Sequence, residues 1–129
     1  MNETNTNDAE DSIKSVVRAY NDAVRDNDPD GFRRTFHPVA PIMQYQERNG
    51  EIDVKSLDEF IAQIDGLHAK FGNAVEVSDE IHVDVSGHIA SARVPFRFQM
   101  GDKEFAGVNI FTLAVDGADW RIMSKVYSL

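Results

Sequence analysis

"HIASARVPFRFQMGDKEFAGVNIFTLAVDGADWRIMSKVYSL", residues 88–129, reads as sheet from end to end. In its first part Ala90, Ala92, Val94, Phe96, Phe98 and Met100 alternate with Ser91, Arg93, Arg97 and Gln99. That is the period of a strand with one buried and one wet face. The pairs Gly101-Asp102 and Asp116-Gly117 are turn signals, and Ser86-Gly87 supplies another just upstream. Together with "AVEVSDEIHVDV", residues 74–85, the stretch predicts four strands joined by hairpins into an antiparallel meander. The strand over 104–115 differs from its neighbours. Val108, Ile110 and Ala114 are apolar on one side, and Phe105, Phe111, Leu113 and Val115 on the other. Both faces therefore need cover, one from helices of the same chain and one from a second copy.

The helices lie upstream. Ile13, Val16, Val17, Tyr20, Ala23 and Val24 recur at helical spacing between about Asn7 and Asn27, with Asn7 and Glu10 as the expected entry cap. "DPDGFRRTFHP", residues 28–38, offers Asp28 as an N-cap, Pro29 at the first helical position and Pro38 as the stop of a short second helix. "APIMQYQERNGEIDV" predicts two short strands around an Asn-Gly type I′ turn. Ser56 and Glu59 form a capping box ahead of Leu57, Phe60, Ile61, Ile64 and Leu67, and Gly72 is the expected end of this third helix. The fold class predicted is α+β, with a curved antiparallel sheet around three N-terminal helices.

Composition narrows the function. At 129 residues, with 42% hydrophobic and 27% charged side chains, the chain predicts one domain over 1–129, frayed over 1–8. No apolar run approaches the roughly 20 residues of a membrane span. "MNETNTNDAED" has neither a basic nor an apolar segment of the kind a secretory leader needs, so the expected location is cytoplasmic. The net charge of −9 opposes binding to phosphate backbones and anionic membranes, so neither nucleic acid nor membrane is an expected partner. The absence of cysteine removes thiolate metal sites and a cysteine nucleophile. His82, Asp84 and His88 lack the spacing of a zinc site, and no glycine-rich loop opens a helix as a nucleotide cradle does. No metal and no cofactor is therefore expected.

The order of these elements, with Tyr20, the Asp28–Gly31 turn, Phe36-His37-Pro38, Ala40, the Phe60 helix and Trp120, Ile122 and Lys125 near the end, resembles the nuclear transport factor 2-like superfamily of cystatin-like fold. The chain is most similar to the branch labelled "putative lumazine-binding", near the SnoaL-like proteins. The resemblance implies a cone with an internal pocket and a homodimer formed through the outer sheet face. It also implies a small organic ligand. The superfamily holds both enzymes and non-catalytic modules, so function must come from the residues.

Laid on that architecture, the pocket walls are expected to be Phe36, Phe60 and Ile64 from the helices and Val94, Phe96, Phe111 and Met123 from the sheet. Tyr20, Gln44, Asn109, Lys125 and Tyr127 supply the polar groups, with His37 at the rim. Gln44 stands where the ketosteroid isomerases carry a carboxylate base, and an amide cannot take a proton from carbon. Isomerase chemistry of that kind is therefore not expected. His37 and Tyr20 remain the candidate catalytic pair. His37 has the range for acid–base work near neutral pH, yet His-Pro is also an ordinary helix ending whose ring bonds a last carbonyl. Lys125 reads either as an anion anchor or as half of an ion pair at the rim. The chain thus reads as an accessory or ligand-binding module, and alternatively as a SnoaL-like dehydratase, cyclase or isomerase acting on a small cyclic substrate.

Overall fold

The computed structural model describes residues 6–129, with side chains from Asp8 onward. Most of the segment expected to be frayed lies outside the described residues, and Thr6 to Asp8 belong to the first helix. The order is α1 (Thr6–Asp26), α2 (Pro29–Thr35), β1 (Ile42–Tyr45), β2 (Ile52–Lys55), α3 (Leu57–Phe71), β3 (Ala74–Ser78), β4 (His82–Ser86), β5 (Ile89–Met100), β6 (Lys103–Asp116) and β7 (Asp119–Ser128). The fold is α+β: three helices lie on one face of an open, seven-stranded sheet in the order β2-β1-β7-β6-β5-β3, with β4 also paired to β5.

α1 begins at Thr6, so Asn7 lies inside it rather than capping it. Its stripe is buried as the spacing predicts, with Ile13, Val17, Tyr20 and Val24 fully enclosed. α2 starts at Pro29, and the side chain of Asp28 makes no capping hydrogen bond, because its Oδ2 meets Arg34 instead. The capping box of α3 is complete in both directions: Glu59 N–H donates to Ser56 Oγ at 3.1 Å, and Ser56 N–H donates to Glu59 Oε1 at 2.8 Å. Gly72 ends the helix, its N–H donating to His68 O.

Two strand readings need correction. The hairpin of β1 and β2 is not a two-residue type I′ turn. That turn needs positive φ at both central residues, and of the pair only Gly50 has it. The chain instead closes a longer loop, with Gln46 N–H donating to Glu51 O. The run 74–85 is not one strand either. It breaks around Asp79–Ile81 into β3, paired with Phe96–Met100, and β4, paired with Ile89–Arg93. β3 and β4 thus follow one another along the edge of β5 that β6 leaves free.

β1 lies parallel to β7, with Ile42 opposite Lys125 and Gln44 opposite Tyr127. β6 and β7 are antiparallel with a bulge: Thr112 pairs Ser124 while Leu113 pairs Ile122, leaving Met123 as the unpaired extra residue. The core is an aromatic cluster centred on Tyr20, whose ring meets Phe32, Phe36, Phe60 and Phe111 at centroid distances of 5.5–6.5 Å. Three of these pairs are edge-to-face and that with Phe60 is stacked, and such pairs add about 0.5–1.5 kcal/mol each beyond burial. Among the described residues no helix is long and apolar enough to cross a membrane.

Candidate functional site

Among the described residues Thr35, Glu76, Asn109 and Lys125 are buried polar side chains, and the last three meet where α1, β3, β6 and β7 come together. Glu76 of β3 is 4% exposed, Asn109 of β6 is fully enclosed and Lys125 of β7 is 3% exposed. Glu76 is held at both oxygens: Tyr20 Oη–H donates to Oε1 at 2.7 Å and Asn109 Nδ2–H donates to Oε2 at 2.7 Å. Such charge-assisted bonds are roughly twice as strong as neutral ones and fix the carboxylate in one orientation. Burial, reinforced by the adjacent Glu76, holds the Tyr20 hydroxyl well above the usual phenol range, so it serves as a proton donor to the carboxylate.

Lys125 has a different setting. Its Nζ lies 4.2 Å from the centroid of the Tyr127 ring, 4.9 Å from that of Phe60 and 5.2 Å from that of Tyr20. Among the described residues it has neither a hydrogen-bond nor an ion-pair partner. Burial pushes its amine below the usual lysine range, and the nearby Glu76 charge opposes that in part. The bulge in β7 puts it there. Ile122 and Lys125 both face inward although three residues apart, which strict alternation forbids.

These groups border a cavity of about 230 Å³ between α3 and the sheet. Phe60, Gln63, Ile64 and Leu67 line it from α3; Glu76, Phe96, Phe98, Met100 and Phe105 from β3, β5 and β6; Gln44, Lys125, Tyr127 and Leu129 from β1, β7 and the chain end. Phe105 and Leu129 are exposed, at 40% and 37%, and form an apolar lip. Tyr127 Oη–H donates to Gln44 Oε1 at 3.3 Å, and burial pushes its phenol up to about 12.

Of the residues expected at the pocket, Gln44, Phe60, Ile64, Phe96, Lys125 and Tyr127 line the cavity. Tyr20 and Asn109 stand behind it, joined to it through Glu76. Phe36, Val94 and Phe111 are enclosed in the core. Met123, displaced by the bulge, borders a shallow depression on the sheet with Asp84, Ile89 and Thr112. His37 is not at the cavity. Its backbone N–H donates to Ile122 O at 2.9 Å, and its ring Nδ1 accepts from Val39 N–H at 3.2 Å rather than donating to a helix carbonyl.

Glu76 is the residue that the sequence reading missed. Val75 and Val77 flank it, so hydrophobic alternation turns it outward, whereas the strand buries Ala74 and Glu76 and leaves the valines half-buried. The signal that finds it is the buried donors, Tyr20 and Asn109, which have no other acceptor of full charge. The pocket therefore does hold a carboxylate, from β3 instead of β1.

The fold has many solved relatives. One is an NTF2-like protein of unknown function from Silicibacter pomeroyi, 23% identical, with 96% of this chain and 98% of that chain covered and a TM-score of 0.73. A protein from Kribbella flavida superposes over 96% of this chain and 92% of its own, at 15% identity and a TM-score of 0.78. A third, described as a putative dehydratase of the NTF2-like family from Streptomyces avermitilis, is 12% identical with a TM-score of 0.77, over 96% and 97% of the two chains. At these identities the likeness is one of fold. No curated protein matches the chain. The sequence model of the family described as "Putative lumazine-binding" matches residues 8–128, nearly the whole length, and the chain belongs to that family.

Proposed function

We propose that this protein is a dimeric binding module for a small, ring-containing organic molecule whose anionic or carbonyl oxygen is held by Lys125. The observation that carries the reading is a buried lysine that lines the cavity and has no hydrogen-bond or ion-pair partner among the described residues. Cation–π contact with three rings offsets the desolvation of the ammonium only in part, and a ligand oxygen supplies the acceptor it lacks. Phe60, Phe96 and Phe98 give flat walls that suit a ring. The family description points the same way, toward a heterocyclic small molecule.

The test is calorimetric titration with benzoate and with the neutral ring benzyl alcohol. Lys125→Met is expected to weaken benzoate by about ten- to a hundredfold, the worth of one charged hydrogen bond, and to change benzyl alcohol little. Equal loss for both ligands removes Lys125 as the anchor.

One observation favours a second reading, acid–base catalysis: Glu76 gives the cavity the proton acceptor that Gln44 cannot be. A structural relative described as a putative dehydratase is in keeping with it. In that case Glu76→Gln abolishes turnover of a substrate found by screening while the ligand still binds; undiminished turnover excludes Glu76 as the base.

A further inference from the structure

Lys125 is the one buried lysine; Lys14 and Lys55 are half-buried, and Lys70 and Lys103 are exposed. Surface lysines are hydrated ammonium ions that react slowly with carbonyl compounds. A lysine is activated as a nucleophile when an apolar pocket strips that hydration. Lys125 meets this condition geometrically: its Nζ lies among three aromatic rings, borders the cavity, is not engaged by any described acceptor, and shares the cavity with the carboxylate of Glu76.

We infer that Lys125 is a carbonyl-condensing residue, able to form a Schiff base with an aldehyde or ketone that enters the cavity. The inference rests on the cavity being a ligand site and goes beyond it by giving that site a covalent step. The lone pair of the free amine attacks the carbonyl carbon, a C–N bond forms, and the C=O π pair moves to oxygen. That oxygen takes a proton from solvent, the one proton taken up overall, while the nitrogen releases one to Glu76 through a bridging water, giving a neutral carbinolamine. Glu76 then returns its proton to the hydroxyl, the C–O bond breaks, and one water leaves. The product is a protonated imine, C=N⁺H, with the carbon at the same oxidation level throughout and one water released per bond made. The withdrawal of Lys125 from water, which lowers its affinity for a proton, leaves more free amine near neutral pH than any exposed lysine offers.

The experiment is reductive trapping. The protein is incubated at neutral pH with benzaldehyde and cyanoborohydride, digested, and mapped by mass spectrometry for the added benzyl group. Besides the α-amino group, whose ordinary pKa of about 8 makes it reactive at neutral pH, the expected label is one benzyl group on Lys125 ahead of the other four lysines, suppressed by excess benzoate and lost in Lys125→Arg. Glu76→Gln is expected to slow labelling without moving it to another lysine. Benzyl groups distributed over Lys14, Lys55, Lys70 and Lys103 with Lys125 unmodified overturn the inference. Because the wild-type map decides by itself, a variant that fails to fold does not weaken the test. Benzoate titrated in parallel separates the two claims: benzoate bound but Lys125 unlabelled defeats the imine alone, whereas neither bound nor labelled defeats the ligand site as well.

Discussion

Lys125 and the two tyrosines beside it titrate in opposite senses, and this gives the site a signature in stability. The folded state holds the Lys125 amine below its ordinary value, so between that lowered pKa and about 10.4 the unfolded chain binds more protons than the native one. Lys125 therefore adds stability as pH rises through this window. Tyr20 and Tyr127 behave conversely. Their hydroxyls are raised, that of Tyr127 to about 12, so their contribution is complete below about 10 and is lost as pH climbs beyond it. Urea unfolding across the alkaline range is expected to show Lys125→Met losing the rise relative to wild type while keeping the fall; an unchanged rise in the variant means that the amine is not desolvated. At this scale the sequence was only partly legible. Tyr20, Asn109 and Lys125 are recognisable because polar groups stand out among apolar neighbours. Glu76 is not, since a glutamate between two valines looks like the wet face of a strand until the acceptor needs of Tyr20 and Asn109 are known.

Among the elements, β5, β6 and β7 decide the shape of the cavity. Phe96 of β5 pairs with Gly107 of β6, and its ring lies across the place where a side chain would stand. A Cβ there would come within 2.7 Å of Phe96 Cζ and 2.8 Å of Ser128 O, too close for either to remain. Gly107→Ala is expected to cost about 1–3 kcal/mol, the usual price of overpacking, and to drive Phe96 toward the cavity it lines. Urea melts should show the loss and titration with benzoate should show weaker binding; a variant matching wild type in both would mean that Phe96 is free to move. The long elements were readable because each repeats one period: the stripe of α1, the capping box of α3 and the alternation of β5. The bulge at Met123 was missed because "RIMSKV" carries no turn residue, although the adjacent apolar Ile122 and Met123 and the adjacent polar Ser124 and Lys125 break the alternation there. A single inserted residue reverses every side chain beyond it, which is why Met123 leaves the cavity and Ile122 joins Lys125 inside.

For the whole molecule, the outer sheet face is the feature left over. The register aligns Val54, Met43, Val126 and Ile110 in one row across β2, β1, β7 and β6, with Val54 57%, Ile110 41% and Val126 38% exposed. Ile52, Tyr45 and Val108 extend the patch in the next row, where Ser128 of β7 stands between Tyr45 and Val108. An apolar row of this length marks an interaction surface, and a self-complementary contact between two copies covers both at once. Light scattering is expected to give a dimer for the wild type and a folded monomer for Ile110→Lys with Val126→Lys; a monomeric wild type contradicts the proposed dimer.

The cavity lies on the opposite face of the sheet, and ligand entry there is visible by NMR when benzoate is titrated into protein labelled at Ile, Leu and Val methyl groups. Saturable shifts are expected at Ile64, Leu67 and Leu129, which line the cavity, and none of them in Lys125→Met. Shifts confined to Ile110, Val126 and Val54, with the cavity methyls unmoved, would contradict ligand entry.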